Sequence, residues 1–279
     1  RAAEHWYRLA AAKGNVSAGH YGGIDGRPVL SKDTGAARTI NVSDAQGRIV
    51  DQRYVGRDGR PVLTRDGGIA RILMHYGAAG ENLGADYFGT DGKPILDKMV
   101  GAAHVRRRVD GRGRIIEEAY FGIDGAPIFA KKSGVARSTI RYDNRGLLVE
   151  RRYYGIDRKP IAASDSAAAT LRWRYDDHGN LIGEGSFGTD GKPVLNKQSG
   201  AATIAYSYDE RGNQISQEYA GLDGRLVLNK QGVAGTTGKY DTRSNLIEQT
   251  TFGPDRMPKE ASNGVARQMV LAGVPLSSL

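Results

Sequence analysis

Charged side chains that can do electrostatic work recur along this chain at one spacing. Arg27, Arg60, Lys93, Lys159, Lys192 and Arg225 each stand two residues after a recurring aspartate, and Lys32, Arg65, Lys98, Lys131, Lys197 and Lys230 stand seven residues after it. If equivalent positions stack in space, each set becomes a file of positive charge, which suits a linear polyanion better than a compact ligand. The competing use is to keep strand edges solvated and unpaired with other chains. A third file, Phe88, Phe121, Tyr154 and Phe187, runs beside Tyr21, Tyr54, Tyr87, Tyr120, Tyr153 and Tyr219. Adjacent strand residues face opposite ways, so one aromatic file packs inside while the other is placed to stack on sugar rings or bases, core packing being the competing use.

Catalytic chemistry is harder to find. His5, His20, His75, His104 and His178 occupy unrelated positions, with no His-Glu-x-x-His spacing, no Gly-x-Ser-x-Gly elbow and no phosphate-binding Gly-x-x-x-x-Gly-Lys loop. No catalytic residue, metal-ligand set or cofactor is expected, and an enzyme of unrecognised type is the least favoured class. The recurring aspartates could form a cation file, but an Asp at a turn ordinarily bonds its own nearby N–H groups. One stretch breaks the pattern several times: Arg158 replaces a turn glycine, Ala167-Ala168-Ala169 replace a Gly-Ala-Ala corner, and Trp173 and His178 follow closely. It is the candidate for a special surface, with sequence drift as the alternative.

The elements that must position these files follow from the period. The marker aspartates are Asp25, Asp58, Asp91, Asp124, Asp157, Asp190, Asp223 and Asp255, spaced by 33 residues and, in the last interval, by 32. Such a period signals a stacked repeat whose units bury their apolar faces against neighbours. Each unit holds a hairpin such as Tyr87-Phe88-Gly89-Thr90-Asp91-Gly92-Lys93-Pro94, where Asp-Gly predicts a type I′ turn with positive φ at both central residues. The Pro lacks an N–H, so its strand is short or at an edge. A small-residue corner follows, as in Gly101-Ala102-Ala103, and then a longer hairpin, as in Tyr142-Asp143-Asn144-Arg145-Gly146. Each unit therefore reads as about three antiparallel strands.

The expected fold is all-β: an array of eight hairpin repeats of about 33 residues over residues 19–279, forming a β-solenoid or twisted superhelical ribbon. Ankyrin repeats share the period, but no Thr-Pro-Leu-His appears and Asp-Gly and Gly-Ala breaks interrupt every candidate helix. Residues 1–18 are expected to be an N-terminal α-helical cap, because Ala3, Trp6, Tyr7 and Ala10 lie at helical spacing before Gly14. That segment resembles the second helix of a Sel1-like repeat at Trp6, Tyr7, Ala10, Ala11 and Gly14.

The Tyr-Asp pairs Tyr142-Asp143, Tyr175-Asp176, Tyr208-Asp209 and Tyr240-Asp241, each followed by a turn and an apolar strand, resemble the YD repeats of bacterial RHS proteins. That resemblance implies a winding β-sheet shell able to enclose a toxin. The Gly-x-Asp-Gly-Lys-Pro hairpin and the Gly-Ala-Ala corner are absent from the YD pattern, and the unit here is longer.

Composition narrows the partners. A formal charge of +9 favours an anionic partner, and the absence of Cys excludes disulfides and thiolate chemistry. No apolar run approaches the roughly 20 residues that span a bilayer as a helix. The start at Arg1 reads as a fragment or processed product. The leading expectation is a non-catalytic binding or display module that meets an anionic polysaccharide, such as a cell-surface glycan, or a partner protein. Nucleic acid is a less favoured partner, and a periplasmic, surface or secreted location in a bacterium is favoured over the cytoplasm. The alternative is a structural YD-like shell or spacer of a larger toxin-type protein.

Overall fold

The computed structural model describes residues 16–21 and 29–269. The expected helix with its Sel1-like wording, the Asp25 turn with Arg27, and the tail after Met269 lie outside the described residues. Val16–His20 form the first strand. The array therefore already includes the last residues of the stretch assigned to the cap.

The described residues are all-β, with antiparallel strands hydrogen-bonded in chain order. They divide into two compact units, one made of the described residues up to 139 with 155–158, the other of residues 140–154 with the described residues from 159 on. The first holds β1 (Val16–His20), β2 (Arg38–Ser43), β3 (Ile49–Val55), β4 (Arg71–Tyr76), β5 (Asn82–Phe88), β6 (His104–Val109) and β7 (Ile115–Phe121). The boundary falls within β8 (Arg137–Tyr142). The second holds β9 (Leu148–Tyr154), β10 (Thr170–Tyr175), β11 (Leu181–Phe187), β12 (Thr203–Tyr208), β13 (Gln214–Ala220), β14 (Gly235–Tyr240), β15 (Leu246–Phe252) and β16 (Arg267–Met269).

Each repeat contributes two strands rather than three. The expected third strand is reduced to one bridge at the proline, as in Val55↔Pro61 and Phe88↔Pro94. Proline has no N–H to extend a ladder there. The next residue resumes the bonding, Val62 N–H donating to the Tyr54 carbonyl at 3.0 Å.

The turns also differ from the expected type. Gly59 N–H donates to the Gly56 carbonyl at 3.1 Å, Gly56 N–H to the Arg60 carbonyl at 2.8 Å, and Gly59 has φ 76°. Asp58 is not in the positive-φ region. This is a type I turn closed by a left-handed glycine, not the type I′ turn that Asp-Gly predicts. The aspartate supplies the reason: its Oδ1 accepts the Arg60 N–H at 3.0 Å, which holds it in the right-handed conformation. The longer hairpins turn in the same way, with Asp110 Oδ1 accepting from the N–H groups of Arg112 and Arg114 at 2.9 and 3.0 Å. A register shift lies beside this turn, between Arg108 and Val109.

The core is a file of small side chains. Ala102 and Ala103 are fully buried, as are their counterparts Ala36, Ala168 and Ala234. Ala103 N–H donates to the Phe121 carbonyl at 2.9 Å, and the Ala103 carbonyl accepts from Tyr87 N–H at 3.0 Å. The corner thus threads between the main chains of the two aromatic files, where a longer side chain would force the strands apart.

Candidate binding surface

Both basic files are exposed wherever they are described. In the second file the cations reach backward by one repeat. Arg65 Nη1 donates to the Lys32 carbonyl at 2.9 Å, Lys131 Nζ to the Lys98 carbonyl at 2.9 Å and Lys197 Nζ to the Ser164 carbonyl at 3.0 Å. Their main chains join as well: Lys98 N–H bonds the Gly67 carbonyl at 2.7 Å, and Lys230 N–H the Ser199 carbonyl at 3.0 Å.

Glycine at the preceding corner permits this approach. A Cβ on Gly101, whose φ is +79°, would lie 2.8 Å from Lys131 Cβ and 2.9 Å from Lys131 N, and one on Gly68 would lie 2.6 Å from Lys98 Cε. The second file therefore laces repeat to repeat.

Arg60, Lys93, Lys159, Lys192 and Arg225 of the first file sit on the turns beside the marker aspartates. Asp91 Oδ1 accepts Lys93 N–H at 3.0 Å, and Asp190 Oδ1 accepts Lys192 N–H at 3.0 Å. Arg60 and Arg225 stand 3.9 and 3.8 Å from the carboxylates of Asp58 and Asp223. One acid per turn offsets one cation per turn, so the file is much less positive than its basic residues alone imply.

The aromatic file is half-buried at Phe88, Phe121, Tyr154 and Phe187. Arg71 lies 5.6 Å from the Phe88 ring centroid and Arg172 lies 4.6 Å from that of Phe187. On these two rings guanidinium groups occupy the faces that were candidates for sugars or bases. Trp173 is also half-buried and faces a different group, Glu184, its direct cross-strand partner.

Sequence reasoning missed a file of carboxylates held by arginines on the sheet. Asp51 Oδ2 is 2.5 Å from Arg53 and 2.8 Å from Arg71. Glu117 pairs with Arg137 at 2.6 Å, and Glu150 with Arg152 at 2.9 Å and Arg172 at 3.0 Å. Burial works against the charge on Asp51, but hydrogen bonds from Arg71 and Arg53 outweigh it and hold its carboxyl below the ordinary range. The same balance holds at Glu150, where Arg172 and Arg152 oppose burial. Glu117 and Glu150 stand one period apart, the signal that would have revealed the file.

The histidines read as unrelated also converge in part. Asp86 accepts from or shares a proton with His75 Nε2 at 2.7 Å and His104 Nδ1 at 2.7 Å, and its Oδ1 lies 2.6 Å from Arg106. Burial disfavours ionised Asp86, yet His104, Arg106 and His75 together keep its carboxyl below the ordinary value. Spacing along the chain hides this cluster because it is built by register: His104 pairs Asp86, and His75 pairs Gly84 two residues away. Among the described residues no group of His, Cys, Asp and Glu is arranged to hold a metal ion.

No protein-family model and no curated protein matches this chain. Similar solved structures include the crystal structure of TcdB2-TccC3-Cdc42, at 15% identity and a TM-score of 0.25, covering 79% of this chain and 13% of that one. The structure of a Photorhabdus luminescens Tc holotoxin pore with a mutated TccC3 is similar at 15% identity and a TM-score of 0.26, again covering 79% of this chain and 13% of that one. The chain thus spans a small part of the length of the proteins it resembles, and the likeness reaches no further than the fold.

Proposed function

We propose that this chain is a non-catalytic structural segment, a length of β-sheet wall within a larger protein, whose exposed side meets a protein partner. The observation that carries this reading is the lacing of consecutive repeats. Within the first unit the corners at Arg65, Lys98 and Lys131, and within the second those at Lys197 and Lys230, bond the preceding corner through the main chain, and Arg65, Lys131 and Lys197 do so through the side chain as well. Residues conserved in spacing along the chain are spent on joining repeats. A reaction centre instead needs several different groups converging once.

The reading agrees with the resemblance of the Tyr-Asp hairpins to YD shell repeats. It displaces the anionic polysaccharide as the first choice of partner, because the second basic file is engaged between repeats and the first is offset by the marker aspartates. A photo-crosslinking amino acid placed at Leu222 or Ile156, both exposed on turns, tests it in the full-length protein. A discrete polypeptide crosslinked from both positions is expected. Salt-sensitive binding to a heparin-type or glycan panel, with no polypeptide captured, would overturn the reading in favour of the polysaccharide.

A further inference from the structure

Glu184 differs from every other carboxylate borne on a strand among the described residues. Asp51, Asp86 and Glu150 each hold at least two cationic side chains, and Glu117, Glu118, Glu218 and Glu248 hold at least one. Glu184 holds none. Its Oε1 accepts the Tyr206 hydroxyl at 2.5 Å, and its other oxygen has no hydrogen bond among the described residues. Burial and the Glu184 carboxylate push the Tyr206 phenol well above its ordinary value, so Tyr206 remains a neutral donor and leaves the negative charge uncompensated.

That charge opens into a cavity of about 250 Å³. Leu171, Trp173 and Ile204 give it an apolar wall, the buried Ala201 and Ala202 floor it, and Asn196 and Gln198 lie at its polar side. Asn196 is already committed, donating to Ser186 Oγ at 3.0 Å and accepting Gln198 N–H at 2.8 Å. Arg172 also lines the space, but its guanidinium is paired with Glu150 at 3.0 Å and lies over the Phe187 ring, so Glu184 is the charged group there that no ion pair holds.

A second groove two repeats later provides an internal comparison. Gln249, Thr251, Val265, Ala266 and Gln268 line it at the positions of Glu184, Ser186, Ala201, Ala202 and Ile204, and Gly238 stands where Trp173 would be. With the indole and the charge both gone, its volume is about 430 Å³. The architecture forms a groove here in either case; the indole and the carboxylate are particular to the earlier one.

We infer that the Trp173–Glu184 pocket is an anchor site for a basic side chain, arginine or lysine, of a protein partner. The aliphatic stem of such a residue packs on Leu171, Ile204 and the indole, while its cationic head meets the free oxygen of Glu184. A buried anchor of this kind in a shaped pocket is where protein interfaces concentrate their binding energy. The inference rests on the proposal of a protein partner but is tested apart from it, with peptides too short to depend on the rest of the assembly.

The protein has two tryptophans, so Trp6→Phe leaves Trp173 as the single indole reporter. Acetylated Gly-Arg-Gly amide and its lysine counterpart are titrated against Trp173 fluorescence, with Gly-citrulline-Gly amide as the uncharged isostere. Saturable changes are expected with both basic peptides, with citrulline binding at least about tenfold weaker. Glu184→Gln is expected to weaken the basic peptides by about the same factor while leaving the melting temperature and β-sheet circular dichroism in place. The inference is overturned by no saturable change with either basic peptide, by equal binding of citrulline, or by binding that survives Glu184→Gln. If crosslinking finds a partner while these titrations fail, the pocket assignment alone is lost.

Discussion

Lys131 Nζ donates a hydrogen bond to the main-chain carbonyl of Lys98, its own counterpart one repeat earlier, at 2.9 Å. The stem of Lys131 crosses Gly101 on the way, and the Lys131 N–H bonds the Val100 carbonyl at 2.8 Å. One residue thus makes both a main-chain and a side-chain link between successive corners. Two substitutions separate the contributions. Lys131→Met keeps the stem and removes the donor, and is expected to cost about 0.5–1 kcal/mol, the worth of one exposed hydrogen bond. Gly101→Ala puts a Cβ in the left-handed region against Lys131 and is expected to cost more, about 1–3 kcal/mol. Urea denaturation of both variants checks the order; equal midpoints would show that the close approach is unimportant.

Among the described residues, four other than glycine stand in the left-handed region: Arg158, Ala167, Ser244 and Arg256, with φ of 62–63°. Each occupies a place that other repeats give to glycine. Ala167→Gly and Arg158→Gly relieve about 1–2 kcal/mol of backbone strain and lose part of it to the flexibility of unfolded glycine, so each is expected to stabilise by about 0.5–1 kcal/mol. Arg256→Gly is expected to gain less. Arg256 makes a two-pronged ion pair with Glu218, at 2.6 and 3.0 Å, which the substitution removes. Thermal melts of the three variants rank them.

Acid should weaken the sheet through its paired carboxylates. Asp51, Asp86 and Glu150 have folded-state values below their unfolded ones, so the stability they contribute is present above the ordinary carboxylate range and is lost as pH falls through the folded values. The melting temperature is expected to depend little on these groups above about pH 5 and to fall progressively below about pH 4. Asp51→Asn should lower stability at neutral pH, because Arg53 and Arg71 lose their partner, and should flatten the acid limb of the curve. Melts from pH 2 to 7 of the two proteins show whether the limb changes.

How much was legible in the sequence depended on whether a feature is local or built by register. The period, the all-β class and the turn function of the marker aspartates follow from local wording, and Asp58 bonds the Arg60 N–H as a turn aspartate does. The turn type was misread because Asp-Gly is compatible with both type I′ and a type I turn with a left-handed glycine; the aspartate's own hydrogen bond decides between them. The cluster at Asp86 was invisible because its members are 11 and 18 residues from the aspartate, distances that mean nothing until the strands are aligned. The basic files were visible as spacing. Their engagement was not, since nothing in a sequence says that Lys131 bends back to the Lys98 carbonyl. Trp173 stood out as an irregularity, but its pairing with an uncompensated Glu184 required the register of β10 on β11.

Excision of one whole repeat tests the wall reading most directly. Deleting residues 92–124 joins Asp91 to Gly125, the counterpart of Gly92, and brings the corner of Gly134 to where that of Gly101 had been. If the repeats serve to build a continuous wall through equivalent joints, the shortened protein should fold with the same β-sheet signal per residue and unfold cooperatively at a modestly lower temperature. An unfolded or aggregated product, or loss of the sheet signal well beyond the excised repeat, would contradict the account.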